Sequence, residues 1–161
     1  MRHVGRPEAL ARIAADRGDD CPLCRPPGAV IADNAHAYAM LARFAARPGH
    51  VVIALRRHAE RIEALAWPEY EALHQLAWQV GRAVDRVFGA RRVYIAALGS
   101  AEPLLTSFPH VHLHVVPLVD GGSADKPAAV FTWAHGMYVF DDAAEERALR
   151  DRLVASLPER A

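Results

Sequence analysis

The chain has 161 residues, of which 52% are hydrophobic and 24% are charged, a composition typical of globular proteins and not of disordered or fibrous ones. Its 19 basic and 19 acidic residues give a formal net charge of zero. This balance argues against a long nucleic acid as partner but leaves small phosphorylated ligands open, because these need only a local site. The N-terminal stretch MRHVGRPEALARIAADRGDD is charged and lacks the apolar core of a secretory signal. No apolar run approaches the roughly 20 residues that cross a bilayer, so we expect no membrane contact and a soluble, cytoplasmic protein.

The first half of the chain is predicted to hold one helix, a proline-rich knuckle and three strands. Residues 7–18 have proline at the start, glycine at the end and apolar residues at helical spacing, which indicates a short amphipathic helix. The prolines of CPLCRPPG, residues 21–28, are expected to exclude regular structure there. Apolar, partly β-branched runs near turn residues then predict strands at Ala29–Asp33, His36–Leu41 and His50–Leu55.

The second half is predicted to hold the longest helix and a strand that is rich in histidine. Residues 68–88 have proline in the first turn, glycine directly after the end and an apolar stripe. Strands are predicted at Arg92–Leu98 and His110–Pro117, and a hairpin-like pair, AVFTW and GMYVF, within a C-terminal extension and helix over 127–158. Mixed helices and strands with short connections indicate an α+β fold. We expect one domain over residues 1–161, with its core at about 21–118.

The run HVHLHVVP places a histidine at every second position, His110, His112 and His114. Successive side chains of a strand point to opposite faces, so the three rings should share one face while apolar residues fill the other. Neutral imidazole is a nucleophile near pH 7 and becomes a cation after a modest change of environment, which suits phosphoryl chemistry. Two other interpretations stay open. One is a solvent-facing strand without a function, and the other is a three-histidine metal centre, which the lack of Asp or Glu between Glu102 and Asp120 disfavours.

The only two cysteines, Cys21 and Cys24, form one CxxC motif. Such a pair can act in redox chemistry or supply half of a zinc site, since zinc usually takes four ligands. A thioredoxin-like redox pair is expected near a βαβ unit, whereas this motif follows a predicted helix and leads into Pro-Pro-Gly. Its position favours a knuckle.

Together these features resemble the histidine triad (HIT) family. The resemblance rests on HVHLHVVP, on PGHVVIALRRHAERIEAL at residues 48–65, and on the helix and strand between them, and it extends over roughly residues 21–117. It implies a five-stranded antiparallel sheet with one long helix packed on it and helical termini, in a homodimer. It also implies a nucleotide hydrolase or nucleotidyltransferase that attacks the α-phosphate of a nucleotide derivative, such as a dinucleoside polyphosphate or a nucleoside phosphoramidate. The implied intermediate is a covalent nucleotidyl-histidine.

By position, the resemblance assigns roles to individual residues. His112 is the nucleophile, His114 contacts the phosphate oxygens, and Ser107 lies near the leaving group or the phosphate. Thr106 occupies the position where the family usually has Gln, and is expected beside the substrate. Some family members hold a structural zinc with a CxxC and two histidines, which here are Cys21, Cys24, His58 and His110.

Three positions depart from the family pattern: Thr106 in place of Gln, Gly99 in place of Asn, and Ala42 in place of an Asp or Asn that holds the ribose. Loss of a buried polar contact costs about 1 kcal/mol or more, so we expect a loose or unusual preference for the nucleoside. These departures keep a second hypothesis open, a non-catalytic nucleotide-binding or regulatory protein. His36 and His50 lie alone on strand patterns and are interpreted as packing or strand-end residues.

Overall fold

A computed structural model describes residues 1–16, 20–26, 28–99 and 108–159. Its helices are α1 (Arg6–Asp16), α2 (Trp67–Phe88), α3 (Pro127–Phe131) and α4 (Ala143–Ala155). Its strands are β1 (Arg2–Val4), β2 (Ala32–Asp33), β3 (Ala37–Leu41), β4 (Val51–Leu55), β5 (Arg92–Ala97), β6 (His112–Leu118) and β7 (Met137–Val139). Within these described ranges, no helix is both long enough and apolar enough to span a membrane.

Five strands form one antiparallel sheet in the order β2-β3-β4-β6-β5. The histidine strand β6 therefore has a neighbour on each side. Its register with β4 places His112 opposite Ala54 and His114 opposite Val52. The predicted α+β fold, with a five-stranded antiparallel sheet and one long helix, is confirmed.

α2 covers one face of the sheet, because its apolar stripe and alternate residues of the central strands form a common core. The buried residues of this layer are Leu73, Leu76, Ala77, Val80, Ala83 and Val84 on α2, with Val51, Ile53, Leu55, Leu113 and Val115 beneath them. The helix starts after Ala66, whose N–H donates to the carboxylate of Glu69 at 2.9 Å. Fully burying a Val or Leu side chain contributes about 1.5–3 kcal/mol. This layer therefore fixes which face of β6 meets the helix, and it leaves the histidines on the opposite face.

The C-terminal extension differs from the predicted hairpin. Most of AVFTW lies in α3, because Pro127 has a backbone angle suited to the first turn of a helix. GMYVF contributes β7, which pairs with β1 near the N-terminus instead of with AVFTW. The backbone of Tyr138 also bonds to that of Ala45, with N–O distances of 2.7 and 2.9 Å. The two-stranded sheet of β1 and β7 is thereby joined to the segment that leads into β4.

Two further details differ from the sequence predictions. Pro22–Cys24 form a turn of 3-10 helix where no regular structure was expected, since the fixed backbone angle of proline suits the start of such a turn. β6 begins at His112, so His110 lies before the strand, and the N–H of Val111 bonds to the carbonyl of Ala59 in the loop after β4. α1 is described as far as Asp16, and the predicted end of this helix, at residues 17–18, lies outside the described residues.

Candidate active site and metal centre

His112 and His114 lie side by side in a cavity on the face of the sheet opposite α2. Their exposed fractions are 3% and 6%, and their Nε2 atoms are 3.1 Å apart. The cavity has a volume of about 160 Å³. Much of its wall is apolar, from Leu23, Met40, Ala42, Phe44, Val52 and Phe108. A small apolar cavity with a few polar groups is the usual form of a binding site for a small organic ligand.

Backbone anchors fix which nitrogen of each ring carries the proton. The Nδ1 atom of His112 is 2.6 Å from the carbonyl oxygen of His110, which can only accept, so the proton is on Nδ1 and the lone pair on Nε2. At the other end, the N–H of Ala46 donates to Nδ1 of His50 at 3.1 Å. The proton of His50 is therefore on Nε2, which donates to Nδ1 of His114 at 2.9 Å. His114 then has its proton on Nε2 and donates to Nε2 of His112. We call His50, His114 and His112 the histidine relay.

His50 contacts the histidine pair directly, which its lone position in the sequence did not indicate. It is 2% exposed, and its ring centroid is 5.1 Å from that of His114. Val52, two positions along the chain, lies opposite His114, so the alternation of β4 brings His50 to the same face. Gly49 has a φ of 84°, and a β-carbon there would overlap the ring of Phe88. The turn that leads into His50 therefore requires glycine. The two-residue spacing from His50 to Val52 places both on one face of the sheet. It indicates a contact with His114 only once the register of β4 and β6 is known.

Burial keeps the relay neutral. Burial, with a contribution from His112, lowers the pKa of His50 to about 3. Burial, followed by the neighbouring rings, lowers the pKa of His114 well below its ordinary value, and burial is the main cause of the lowered pKa of His112. A neutral imidazole keeps the lone pair that attacks an electrophile, so the site holds a nucleophile at neutral pH.

A cluster of Cys21, Cys24, His58 and His110 adjoins the relay. Its candidate ligand atoms all lie within 4.8 Å of one another. Nδ1 of His110 is 3.3 Å from Sγ of Cys21 and 3.7 Å from Sγ of Cys24, and Nδ1 of His58 is 3.3 Å from Sγ of Cys24. A tetrahedral zinc, with sulfur at about 2.3 Å and nitrogen at about 2.0–2.1 Å, separates sulfur and nitrogen ligands by about 3.6 Å. Both the donor set and the spacing fit zinc.

The surroundings of the cluster orient its ligands. Nε2 of His110 donates to the carbonyl of Leu55 at 2.8 Å, so Nδ1 presents its lone pair to the cysteines. The hydroxyl of Tyr38 donates to the carbonyl of Leu23 at 2.8 Å, which ties the cysteine turn to β3. In the described part of the chain, this cluster is the one group of three or more His, Cys, Asp or Glu residues with the spacing of a metal site. Both ring nitrogens of His110 are thus engaged, one by the cysteines and the other by the carbonyl of Leu55.

The remaining residues predicted for the site have different outcomes. Ser107 and Thr106 lie outside the described residues. Ala42 is buried and lines the cavity. Gly99 approaches the carbonyl that anchors His112: a β-carbon on Gly99 would overlap that oxygen and lie 3.2 Å from Nδ1 of His112. The larger side chain usual at this position has no space here, which gives a physical reason for this departure from the family pattern.

Trp133 also lines the cavity. Its φ of 49° lies in the left-handed region, which residues with a β-carbon rarely adopt. Its indole N–H is buried and has no hydrogen-bond partner among the described residues. Strained backbone and unpaired buried donors are found preferentially at binding sites, which makes Trp133 a candidate residue of this site.

The model of the HIT domain family matches residues 25–120, more than half of the chain. The chain belongs to the HIT domain family. This confirms the resemblance found in the histidine run. No curated protein matches the chain in sequence, whereas several solved HIT structures share its fold.

Three of these structures illustrate the likeness of this HIT protein to others. A zinc-bound histidine triad family protein from Mycobacterium smegmatis is 20% identical, with a TM-score of 0.59 over 90% of this chain and 91% of that chain. A hypothetical histidine triad nucleotide-binding protein from Sulfolobus tokodaii is 14% identical, with a TM-score of 0.63 over 84% and 91%. The diadenosine triphosphate hydrolase of Plasmodium falciparum, in complex with cyclomarin A, is 13% identical, with a TM-score of 0.55 over 80% and 78%. At these identities the likeness establishes the fold alone.

Proposed function

We propose that this HIT protein is a nucleotide hydrolase or nucleotidyltransferase that cleaves at the α-phosphate of a nucleotide derivative. The supporting observation is the 2.6 Å bond from Nδ1 of His112 to the carbonyl of His110, which leaves the lone pair of a neutral ring on Nε2. The proposed substrates are dinucleoside polyphosphates and nucleoside phosphoramidates, which the HIT family implies. Such small phosphorylated ligands need only a local site and no overall positive charge on the protein.

In the proposed first step, Nε2 of His112 attacks the α-phosphorus. A bond forms between nitrogen and phosphorus while the bond from phosphorus to the leaving group breaks, and the leaving group departs with the electron pair. The ring becomes positively charged, and its Nδ1 proton, held by the carbonyl of His110, spreads that charge. Water or another acceptor then attacks phosphorus, and the electron pair of the nitrogen–phosphorus bond returns to His112.

His114 is proposed to stabilise the charge that develops on the phosphate oxygens. Its Nε2 proton lies beside the attacking atom, so a phosphate at phosphorus–nitrogen bonding distance from His112 brings an oxygen within its reach. Since His50 already accepts from Ala46 and donates to Nδ1 of His114, this donor is oriented before substrate arrives. Ser107 and Thr106 are proposed, from their positions in the family pattern, to contact the phosphate or the leaving group.

The decisive experiment compares His112→Ala with His36→Ala, a histidine exposed on the surface. Both proteins and the native one are incubated with a panel of adenylated and guanylated compounds, and turnover and mass adducts are measured. We expect the native protein and His36→Ala to form an adduct of one nucleotide, and His112→Ala to form none and to lose several powers of ten in turnover. Unchanged turnover in His112→Ala would exclude His112 as the nucleophile.

A non-catalytic nucleotide-binding protein is the second candidate. The apolar Ala42 in the cavity wall and Gly99 in place of a polar residue favour it. In that case the native protein binds nucleotides without adduct or turnover, and His112→Ala changes affinity alone. A three-histidine metal hydrolase is disfavoured by the contacts of His110 with Cys21 and Cys24.

We propose that the cluster of Cys21, Cys24, His58 and His110 holds one structural zinc. The ion would join the turn at Pro22–Cys24 to the loop after β4 and to the start of β6. Bound there, zinc would cross-link these segments, and the proposed phosphate chemistry would fall to His112 and His114.

We also propose a homodimer that forms through α2 and β5. β5 lies at the end of the sheet, where Ile95 is 49% exposed, and Trp78 on α2 is 50% exposed. Exposed edge strands and large exposed apolar side chains often mark surfaces that are buried when two chains associate. Light scattering should give twice the chain mass of 17.6 kDa, and a single chain mass at high concentration would contradict the dimer.

A further inference from the structure

A buried ion pair joins the C-terminal segment to the turn that carries His50. Nε and Nη2 of Arg47 both lie 3.2 Å from Oδ1 of Asp125, and the two residues are 8% and 9% exposed. The second carboxylate oxygen, Oδ2, accepts from the N–H of Gly121 at 2.7 Å. Both oxygens of the carboxylate are therefore engaged, as a buried charge requires.

The same guanidinium holds two backbone carbonyls. Nη1 of Arg47 donates to the carbonyl of Ala46 at 2.7 Å, and Nη2 donates to the carbonyl of Ala124. The side chain thus connects residues 46–50 to residues 121–125. Asp125 lies beyond the part of the chain that matches the HIT domain family, residues 25–120.

The turn fixed in this way sets the ring of His50. The N–H of Ala46 donates to Nδ1 of His50 at 3.1 Å, and the backbone N–H of His50 donates to the carbonyl of Arg47 at 3.0 Å. The side chain of Arg47 therefore restrains Ala46, which donates to the ring of His50. The backbone carbonyl of Arg47 restrains His50 itself.

We propose that Arg47 and Asp125 are positioning residues that determine where the protons of the histidine relay lie. If Ala46 moves away, Nδ1 of His50 can carry the proton and Nε2 becomes an acceptor. His114 must then donate through Nδ1, and its Nε2 lone pair faces the Nε2 lone pair of His112 across 3.1 Å. In that state the relay offers no proton to a phosphate oxygen.

A buried ion pair is weak evidence for a role in stability. Apolar residues of similar volume often replace a buried pair without loss of stability, because they avoid the desolvation of two charges. Such residues cannot hold the carbonyl of Ala46. A double apolar variant therefore separates the positioning role from a role in packing.

The test compares Arg47→Met/Asp125→Leu with Arg2→Met/Asp141→Leu. The control pair has Nε and Nη2 of Arg2 at 2.7 and 3.3 Å from the two oxygens of Asp141, on the surface. Nitrogen NMR of the histidine rings, without substrate at neutral pH, reports the position of each proton. Kinetics with the substrate found for the native protein give kcat and KM.

We expect the Arg47 and Asp125 variant to show mixed proton positions in His50 and His114. Its kcat should fall about tenfold, less than for loss of a whole donor, with KM changed by no more than about twofold. The control should match the native protein in both measurements. Should the double variant fail to fold, Arg47→Lys keeps the charge pair but loses donors to the two carbonyls, and the same change in proton positions is expected.

Native proton positions in a folded variant would overturn the inference. The kinetic part rests on the proposed function, whereas the NMR part does not. A native protein without turnover would therefore refute the proposed function and leave the positioning role to be decided by the NMR spectra alone.

Discussion

The Nε2 atoms of His112 and His114 are 3.1 Å apart, the distance of a hydrogen bond that needs one proton between them. Nδ1 of His112 donates to the carbonyl of His110 and Nδ1 of His114 accepts from His50, so the shared proton belongs to His114. A phosphate that enters between the rings meets a lone pair on one side and a donor on the other. Two identical side chains thus acquire different chemical properties from the backbone groups at the ends of the relay.

This difference predicts unequal effects of replacing the two histidines. His114→Ala should reduce turnover by about 10²-fold, the range for the loss of one preorganised donor, and should still form the nucleotide adduct slowly. Steady-state kinetics and mass spectrometry measure both quantities, with His135→Ala at an exposed position as the control. Turnover equal to that of the native protein would show that His114 does not stabilise phosphate charge.

The neutral His50 predicts a loss of stability in acid. Its pKa is about 3 in the folded protein against an ordinary value of 6.5, so between these values the unfolded chain binds a proton that the folded chain does not. Stability is therefore complete above about pH 6.5 and falls as the pH decreases toward 3, by up to about 1.4 kcal/mol per pH unit for this group. The lowered pKa values of His114 and His112, which face it in the relay, act in the same direction.

Urea unfolding between neutral and mildly acidic pH measures this slope. His50→Gln removes the titrating group, so the slope of its stability against pH should be smaller than that of the native protein. Equal slopes in the two proteins would show that His50 is not kept neutral by burial.

The main layer of this fold could be predicted from local patterns. The alternation of β6 and the apolar stripe of α2 indicate which residues meet, and Leu113 and Val115 indeed pack under the helix. Four strands of the main sheet, β2, β3, β4 and β5, lie within the ranges read from the sequence. The helix and the strands could be predicted because each depends on how often apolar side chains recur within one element. This periodicity can be read from a single sequence.

The contacts that could not be predicted depend on register or on distant parts of the chain. The bond from His50 to His114 requires Val52 to lie opposite His114, and no local pattern specifies that pairing. β7 pairs with β1 from the other end of the sequence. The meeting of His58 with the cysteine pair was implied by family resemblance, and the distances now show that these side chains do come together.

The proposed zinc predicts that Cys24→Ser loses metal and stability together. Sγ of Cys24 is 3.3 Å from Nδ1 of His58 and 3.7 Å from Nδ1 of His110, so its loss removes a ligand from the centre of the cluster. Native protein purified without chelators should contain about one zinc per chain. Cys24→Ser should contain much less and unfold at a lower temperature, while Met40→Leu, in the cavity wall, should retain the metal. Metal-free native protein with a disulfide between its two cysteines would support the redox interpretation instead.

The last prediction concerns the space beside the nucleophile and compares two glycine-to-alanine changes. A β-carbon at Gly99 would overlap the carbonyl oxygen of His110, the acceptor of the bond that orients His112. Gly99→Ala should therefore displace this carbonyl, reduce turnover by about tenfold or more, and lower the free energy of unfolding by about 1–3 kcal/mol. At Gly81, within α2, a β-carbon would have no neighbour within 4 Å. Gly81→Ala should leave turnover unchanged and raise stability by up to about 1 kcal/mol, because alanine favours the helix. Urea unfolding and steady-state kinetics of both variants measure these opposite effects. If Gly99→Ala keeps native turnover and stability, the carbonyl can shift without disturbing His112. The inference that this carbonyl fixes the His112 ring would then be wrong.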